Sequence, residues 1–431
     1  MRVLKEFVVG NFMSINEVQR FSMEAISTND DSRINKFHDN SSLLKVSLLY
    51  GSNSSGKSSL IKAMLYSQAI ILGLNPIKSY LVDDFKRRLN TDFSFRTTDP
   101  EPKSYFEYIL QFDDKTYSYG FRIDTQYSIV YDEWIVELKG NKEIVLYEGG
   151  IDSVAHSEKD DSLGRQLHLK ALCDKDIPNQ DTFLKIYRWF EESLIIKTYD
   201  SIDRGTTMPI SAFKNLIKSM SQYDIWVKKV IIDPIKSDSS GQEPNPYRMD
   251  IEVPALKENE CFISVTNAHG TNRRDQLEYY ENNGKGLKRR EILFMHEPGH
   301  YTLPYFRESD GTKRLFQFLL LFKSNNDLNN NTDKYPKTIV IDEIDRSIHP
   351  EITKKLIRDF VNNNNMGQLI ATTHETDLLK VLKKDEIWFV EKKNTNNSLY
   401  YSLSEFKIPE DADFKSLYTT GRLGAIPIKP R

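Results

Sequence analysis

The stretch VSLLYGSNSSGKSSLIKAM, residues 46–64, decides the fold, because it joins three local patterns without a break. VSLLY is an apolar run typical of a strand that is buried on both faces. GSNSSGKS, Gly51–Ser58, then fulfils the pattern G-x-x-x-x-G-K-[ST], and the residues after it have helical periodicity. The stretch therefore predicts a strand, a phosphate-binding loop and a helix, in that order.

In such a loop, glycines let the backbone turn so that successive N–H groups and the helix N-terminus face phosphate oxygens. Lys57 then reaches the β and γ phosphates, and the Ser58 hydroxyl is a ligand for Mg²⁺. The alternative is an ordinary Gly/Ser loop with a chance lysine, which the flanking strand and helix disfavour. The residues expected to contact the bound phosphates are Gly51, Asn53, Ser55, Gly56, Lys57, Ser58 and Ser59.

Two adjacent carboxylates follow a second apolar strand in TIVIDEID, residues 338–345. This is the sequence expected where a buried strand ends at a phosphate site. We predict that Asp342 holds Mg²⁺ through water and that Glu343 polarises the attacking water. The alternative is a polar strand end that caps the helix beginning near Pro350.

A histidine ends another apolar strand in LIATTHE, residues 369–375. We predict that His374 donates a hydrogen bond to the γ phosphate and holds the attacking water in line. The alternative is a structural histidine, which is the commoner role of a single imidazole.

The chain is long enough, at 431 residues, for more than one structural lobe. Period-two alternation predicts two short strands in residues 1–26 and an antiparallel meander from Tyr105 to Glu148. Helical periodicity covers residues 182–196, and a strand-and-helix alternation after 290 predicts a largely parallel sheet. The expected α/β organisation is an N-terminal part at 1–150 with the phosphate loop and an antiparallel β subdomain, a mainly helical insertion at 151–290 and a C-terminal part at 291–431 that returns to the parallel sheet.

Composition excludes several classes of protein. The net charge of −3 gives no global signal for nucleic acid, and two cysteines are too few for a disulfide framework. The longest apolar stretch, residues 315–322, falls well short of the ~20 residues that cross a bilayer. The N-terminus has no cleavage pattern of a secretory signal, so a cytoplasmic location without a membrane partner is expected.

Two further patterns suggest ligands. HEPGH, residues 296–300, matches the zinc-protease pattern H-E-x-x-H, but proline and glycine between the histidines break the helix that this spacing requires. Basic clusters at Lys86–Arg88, Arg273–Arg274 and Lys285–Arg290 would suit nucleic-acid phosphates, although charge runs are usually solvated faces. We therefore discount zinc and leave nucleic acid as a possible partner.

Taken in this order, the motifs resemble those of ABC-type, AAA-family ATPases of the SMC-like and OLD-like branch. ESDGTKRL, residues 308–315, is similar to the signature motif of that branch. The resemblance implies an ATPase with an ABC-type head that uses ATP and Mg²⁺. It also implies a head-to-tail homodimer in which Ser309 and Gly311 bind the ATP held by the partner subunit, with Asp345 in the loop that crosses between the sites.

The opening NFMSINE and the end FKSLYTTGRLGAIP are similar to stand-alone ATPases of bacterial anti-phage loci, of the AbiL, RloA and PARIS AriA type. This implies a sensor or regulator, as a homodimer or higher homo-oligomer, of a separate effector such as a Toprim-like or RloB-like nuclease. An SMC-like DNA-binding or repair ATPase and a transporter subunit are the alternatives. Met13 replaces the arginine common in the opening motif, and neither Gln68 nor Gln111 is assigned as the glutamine of the Q-loop.

Overall fold

The computed structural model divides the chain into two compact units, which are described separately. Unit 1 comprises Met1–Tyr199, Thr332–Asp345 and Ile357–Arg431, and unit 2 comprises Asp200–Asn331 and Arg346–Leu356. The residues that the structure describes are 2–26, 30, 32–39, 41–73, 103–125, 129–150, 167–198, 205–223, 226–234, 253–266, 276–297, 299, 301–323, 337–362, 367–393, 397–409 and 411–426.

The elements are numbered in chain order. The strands are β1 (Arg2–Gly10), β2 (Gln19–Ser22), β3 (Ile34–Lys36), β4 (Ser42–Leu44), β5 (Val46–Tyr50), β6 (Ser104–Phe112), β7 (Lys115–Asp124), β8 (Ile129–Lys139), β9 (Lys142–Gly150), β10 (Leu194–Lys197), β11 (Thr206–Pro209), β12 (Val227–Pro234), β13 (Glu260–Thr266), β14 (Gln276–Asn282), β15 (Leu287–His296), β16 (Tyr301–Pro304), β17 (Thr338–Ile341), β18 (Gln368–Thr372), β19 (Ile387–Lys392) and β20 (Ser398–Ser402). The helices are α1 (Lys57–Ile71), α2 (Leu169–Cys173), α3 (Gln180–Arg188), α4 (Ile210–Met220), α5 (Asp310–Lys323), α6 (Pro350–Asn362) and α7 (Phe414–Thr419).

Unit 1 contains an antiparallel sheet with the order β2-β1-β6-β7-β8-β9 in its described residues. The two N-terminal strands and the meander expected from the alternating sequence are confirmed. Aromatic side chains of the sheet pack on α1, where the rings of Tyr66 and Phe106 are 5.8 Å apart and Ser67 Oγ lies 2.6 Å from the Tyr108 hydroxyl. This packing fixes the helix that begins at the phosphate loop.

A second sheet of unit 1 has the order β10-β17-β18-β5-β19-β20. All neighbouring pairs are parallel except β19 and β20. The largely parallel sheet and the mixed α/β fold class are therefore confirmed. Gln368, fully buried at the start of β18, joins this sheet to the antiparallel one, since its side-chain amide exchanges hydrogen bonds of 2.9 and 2.8 Å with the backbone N–H and C=O of Leu4.

One helix predicted from periodicity is wrong at its C-terminal end. The prediction covered residues 182–196, whereas α3 continues as a π-helical turn, Trp189–Ser193, and the chain then forms β10. An apolar run of this length fits either a helix or a buried strand, and parallel pairing with β17 decides for the strand. Gln68 supports the transition, because its amide donates to the carbonyls of Phe190 and Leu194 at 2.7 and 2.8 Å.

Unit 2 is built on an antiparallel sheet, β11-β13-β14-β15-β12, with β16 beside β15. Helices α4 and α5 pack against it through ring contacts, such as Phe213 on Tyr279 at 4.9 Å and Phe294 on Phe316 at 5.6 Å. The segment 151–290, predicted as mainly helical, thus contains β10 to β14 and part of β15 as well as helices, and its first part belongs to unit 1. Antiparallel pairing decides for strands in β11 to β15. Among the described residues, no helix has the length and hydropathy needed to cross a bilayer.

Candidate functional site

The strand order of the parallel sheet brings the phosphate loop and the acidic residues to one edge. β5 precedes the loop, β17 precedes Asp342, and β18, which precedes His374, lies between these two strands. Ile341 of β17 pairs with Ala371, and Thr372 pairs with Leu49 of β5. Because the carboxyl ends of parallel strands meet at the same edge, the residues that follow all three strands converge there.

Asp342 makes direct contact with the phosphate loop. The Ser58 hydroxyl donates a hydrogen bond to Asp342 Oδ1 at 3.1 Å, across 284 positions of sequence. The Thr372 hydroxyl donates to the same oxygen at 2.6 Å. The serine and the aspartate predicted as metal ligands are therefore adjacent, and a hydroxyl and a carboxylate oxygen are donors that suit Mg²⁺.

Glu343 has a left-handed backbone conformation, with φ of 55°, which residues other than glycine rarely adopt. Its N–H donates to Thr372 Oγ1 at 2.8 Å, so one threonine side chain contacts both acidic residues. A left-handed glutamate costs about 1–3 kcal/mol, and such strain concentrates at functional sites. Thr372 was missed by the sequence analysis, although a polar residue at the end of the apolar run QLIAT was a usable signal.

Lys57 is buried at the first turn of α1, where its ammonium donates to the carbonyls of Gly51 and Ser52 at 2.8 and 3.0 Å. Burial lowers the pKa of Lys57 to about 8. The nearby carboxylates of Asp342, Glu343 and Asp345 raise it, but burial has the larger effect. The charge of this lysine is therefore poorly compensated in the free protein. An anionic group bound to the loop would stabilise the protonated form.

His374 lies in the same cluster. Its backbone N–H donates to Asp345 Oδ2 at 3.2 Å. Burial lowers the pKa of His374, and the positive charge of Lys57 lowers it further, while the carboxylates of Asp345, Glu343 and Asp342 oppose this shift. A neutral imidazole can donate one hydrogen bond and accept one, which suits contact with both a phosphate oxygen and a water molecule.

The two predicted signature residues lie in unit 2. Ser309 Oγ accepts a hydrogen bond of 3.1 Å from the N–H of Thr312 and so caps the first turn of α5. A side chain at Gly311 would place its Cβ 2.7 Å from the carbonyl oxygen of Ser347, so the backbone approach there requires glycine. The contact joins the start of α5 to the segment after Asp345.

The first histidine of the discounted zinc pattern lies at the end of a strand and not in a helix. His296 ends strand β15, and its Nε2 lies 2.8 Å from Glu308 Oε1. His300 lies outside the described residues, within which no cluster of three metal-ligating side chains is found.

Two arginines of the third basic cluster, Arg289 and Arg290, are paired with acidic side chains. Arg289 forms two 2.8 Å hydrogen bonds to Glu278, and Arg290 donates to Glu281 at 3.0 Å, so acidic neighbours balance both charges. Lys86–Arg88 and Arg273–Arg274 lie outside the described part of the chain. Gln111 contacts Asp39 and Thr116 within unit 1, and the Q-loop glutamine stays unassigned.

A protein-family model described as "AAA domain, putative AbiEii toxin, Type IV TA system" matches residues 46–165 and 152–380. The chain belongs to this family. It is an AAA-type ATPase, and the loop Gly51–Ser58 falls within the matched region. ATPases of this type use ATP and typically Mg²⁺. A comparison with curated proteins gives no match.

Three solved structures are similar to the chain at low identity. The SMC head domain from Thermotoga maritima has 13% identity and a TM-score of 0.37, covering 93% of this chain and 98% of that one. An SMC head bound to the C-winged helix domain of ScpA has 13% identity and a TM-score of 0.40, covering 94% and 99%. The SMC head with an extended coiled coil, bound to the C-terminal domain of ScpA derived from Pyrococcus furiosus, has 12% identity and a TM-score of 0.38, covering 94% and 98%.

The pKa of Lys57 predicts how nucleotide affinity depends on pH. The lysine is protonated below about 8 and loses its charge above that value, so affinity for ADP should fall as pH rises through 8. The slope should approach about tenfold per pH unit, because binding then takes up one proton. Titration of a fluorescent ADP analogue between about pH 7 and 9.5, where the phosphates stay ionised, measures it. Lys57→Arg stays charged over this pH range, so its affinity for ADP should not fall as pH rises through 8. The same slope in both proteins would contradict the pKa given to Lys57.

Proposed function

We propose that the chain is an ABC-type ATPase that binds Mg-ATP on Gly51–Ser59 and hydrolyses it with Glu343. The hydrogen bond between Ser58 Oγ and Asp342 Oδ1 carries this proposal, because it joins the Gly-rich loop directly to the acidic end of β17. The strand–loop–helix context of the loop and the burial of Lys57 beside it provide further support.

The proposed roles follow the chemistry of each side chain. Ser58 and Asp342 would hold Mg²⁺, which neutralises charge on the phosphates when it is bound. Lys57 and the N–H groups of the loop bind phosphate oxygens, and Glu343 accepts a proton from water as general base. His374, kept neutral by burial, donates to the γ phosphate.

We further propose that two copies enclose two ATP molecules, with Ser309 and Gly311 of each copy on the nucleotide of the other. Ser309 caps α5, a helix of 14 residues, whose N-terminal dipole favours an anion. The second phosphate contact in each site therefore comes from a different chain, and ATP binding and dimerisation are coupled by mass action.

The biological role that we propose is a sensor or regulator of a separate effector, a nuclease, in anti-phage defence. The family description names a toxin of a toxin–antitoxin system, which supports a role in a two-component locus. A DNA-binding role of the SMC-like kind is less well supported, since Glu278 and Glu281 neutralise the two arginines of the basic strand.

Replacing the general base should separate binding from hydrolysis. Glu343→Gln removes the proton acceptor but keeps the size of the side chain, so ATP turnover should fall roughly 100- to 1000-fold while ATP affinity stays unchanged. Phosphate release measures turnover, and light scattering with Mg-ATP should show that the dimer accumulates. Glu143→Gln, on an exposed residue of β9, is the control. Full turnover in Glu343→Gln would refute the role of this residue.

Mixing two inactive variants tests the shared sites. Lys57→Ala destroys the phosphate loop, and Ser309→Arg blocks the signature position, so each homodimer should be inactive. A mixed dimer contains one intact site, and an equimolar mixture should recover about a quarter of wild-type turnover, since half of the randomly formed dimers are mixed. A mixture as inactive as its components, although both variants dimerise with wild-type protein, would contradict the arrangement in trans.

The defence role can be measured in cells. Phage plaque counts on cells that carry the gene with its neighbours should be low for the wild type and should rise at least about tenfold for Glu343→Gln, if the dimer cycle controls the effector. Glu143→Gln should protect as the wild type does. Equal counts for the wild type and an empty vector, over a panel of phages, would reject defence while leaving the ATPase proposal intact.

A further inference from the structure

The carbonyl side of the phosphate loop is held by side chains from outside the loop motif. The Ser398 hydroxyl lies 2.7 Å from the carbonyl oxygen of Ser55, and the Tyr400 hydroxyl donates to the carbonyl oxygen of Gly56 at 2.6 Å. Both residues are on β20, 343 and 344 positions from their partners. A carbonyl oxygen can only accept, so both hydroxyls act as donors to the loop.

These contacts act on the direction of two N–H groups, and the Gly56 carbonyl also accepts the N–H of Ser59 at 2.9 Å. The carbonyl of Ser55 and the N–H of Gly56 belong to one planar trans peptide, and so do the carbonyl of Gly56 and the N–H of Lys57. In such a peptide the C=O and N–H bonds point in opposite directions. A donor that holds the carbonyl on one side of the loop therefore directs the next N–H to the other side.

Ser14 of the N-terminal turn completes this support. Its hydroxyl lies 2.8 Å from Ser398 Oγ and 2.8 Å from Ser59 Oγ, and its carbonyl accepts the N–H of Ser398 at 2.7 Å. The space is filled, because a Cβ at Gly56 would lie 2.1 Å from Ser398 Oγ and 2.8 Å from Ser14 Oγ. Gly56 also has φ of 113°, which disfavours any side chain.

We propose that Ser398 and Tyr400 are positioning residues for the nucleotide: they orient the two peptides so that the N–H groups of Gly56 and Lys57 face the phosphates. The inference rests on the proposed binding of ATP to this loop. It extends the site from the motif to the C-terminal strand β20 and the turn at Ser14, neither of which touches the phosphates in this role.

The contact at Tyr400 has a matched control in the same core. Tyr108 is also buried, and its hydroxyl contacts Ser67 at 2.6 Å on α1, away from the loop. Tyr400→Phe and Tyr108→Phe each remove one buried hydroxyl without changing the ring. Both should lower the free energy of unfolding by similar amounts, so a difference in ligand binding between them cannot come from stability alone.

Two measurements test the proposal. Isothermal titration with ADP and with ATP should show that Tyr400→Phe and Ser398→Ala weaken both nucleotides by the same factor, about 5- to 20-fold, because the oriented N–H groups are common to both complexes. Tyr108→Phe should bind as the wild type does. Hydrogen exchange of the nucleotide-free protein should show faster exchange in residues 51–59 of Tyr400→Phe, but not of Tyr108→Phe.

The outcomes separate this inference from the function on which it rests. If wild-type protein binds ATP tightly and both β20 variants match it in affinity and exchange, the positioning role is wrong. If wild type and Lys57→Ala bind nucleotide equally poorly, the proposed function fails. The exchange measurement then still decides whether β20 orders the loop.

Discussion

The geometry of the site depends on the position of one strand, β18, between β5 and β17. In this order the end of the middle strand must lie between the phosphate loop on one side and the acidic residues on the other. Thr372 occupies that place, and its side chain contacts the Asp342 carboxylate and the Glu343 backbone. Parallel pairing of four residues on each side of β18 thus holds together groups that are hundreds of positions apart in the chain.

The phosphate loop has an unusual backbone conformation, and residues far away in the sequence hold it through hydrogen bonds. Gly56 supplies a backbone angle that other residues disfavour, and Ser398 and Tyr400 of β20 donate to the carbonyls of Ser55 and Gly56. Ser14 contacts the hydroxyl of Ser398. The buried Lys57 has a lowered pKa because desolvation exceeds its attraction to the nearby carboxylates. With the N–H groups oriented as we propose, the site offers an incoming anion both these donors and the destabilised charge of Lys57.

Unit 2 uses its charged residues differently from what their sequence suggests. The strand pairing of β14 and β15 sets the basic residues beside glutamates, which converts a candidate phosphate-binding run into cross-strand ion pairs. His296, which the zinc pattern would make a metal ligand, is instead buried against Glu308, the residue before Ser309. In both cases the polar partner lies on another segment and is not visible in the local motif.

The sequence by itself predicted the loop Gly51–Ser58 with its flanking strand and helix, the acidic end of β17, His374 after β18, the two N-terminal strands and the meander. These features depend on local backbone chemistry: glycine conformations, apolar period and helix starts act over a few residues. Tertiary structure alone decided that Leu194–Lys197 is a strand, that unit 2 is built on a sheet, and that Thr372, Ser398 and Tyr400 support the site. Most of these outcomes depend on a partner tens to hundreds of positions away, and local periodicity carries no information about such pairing.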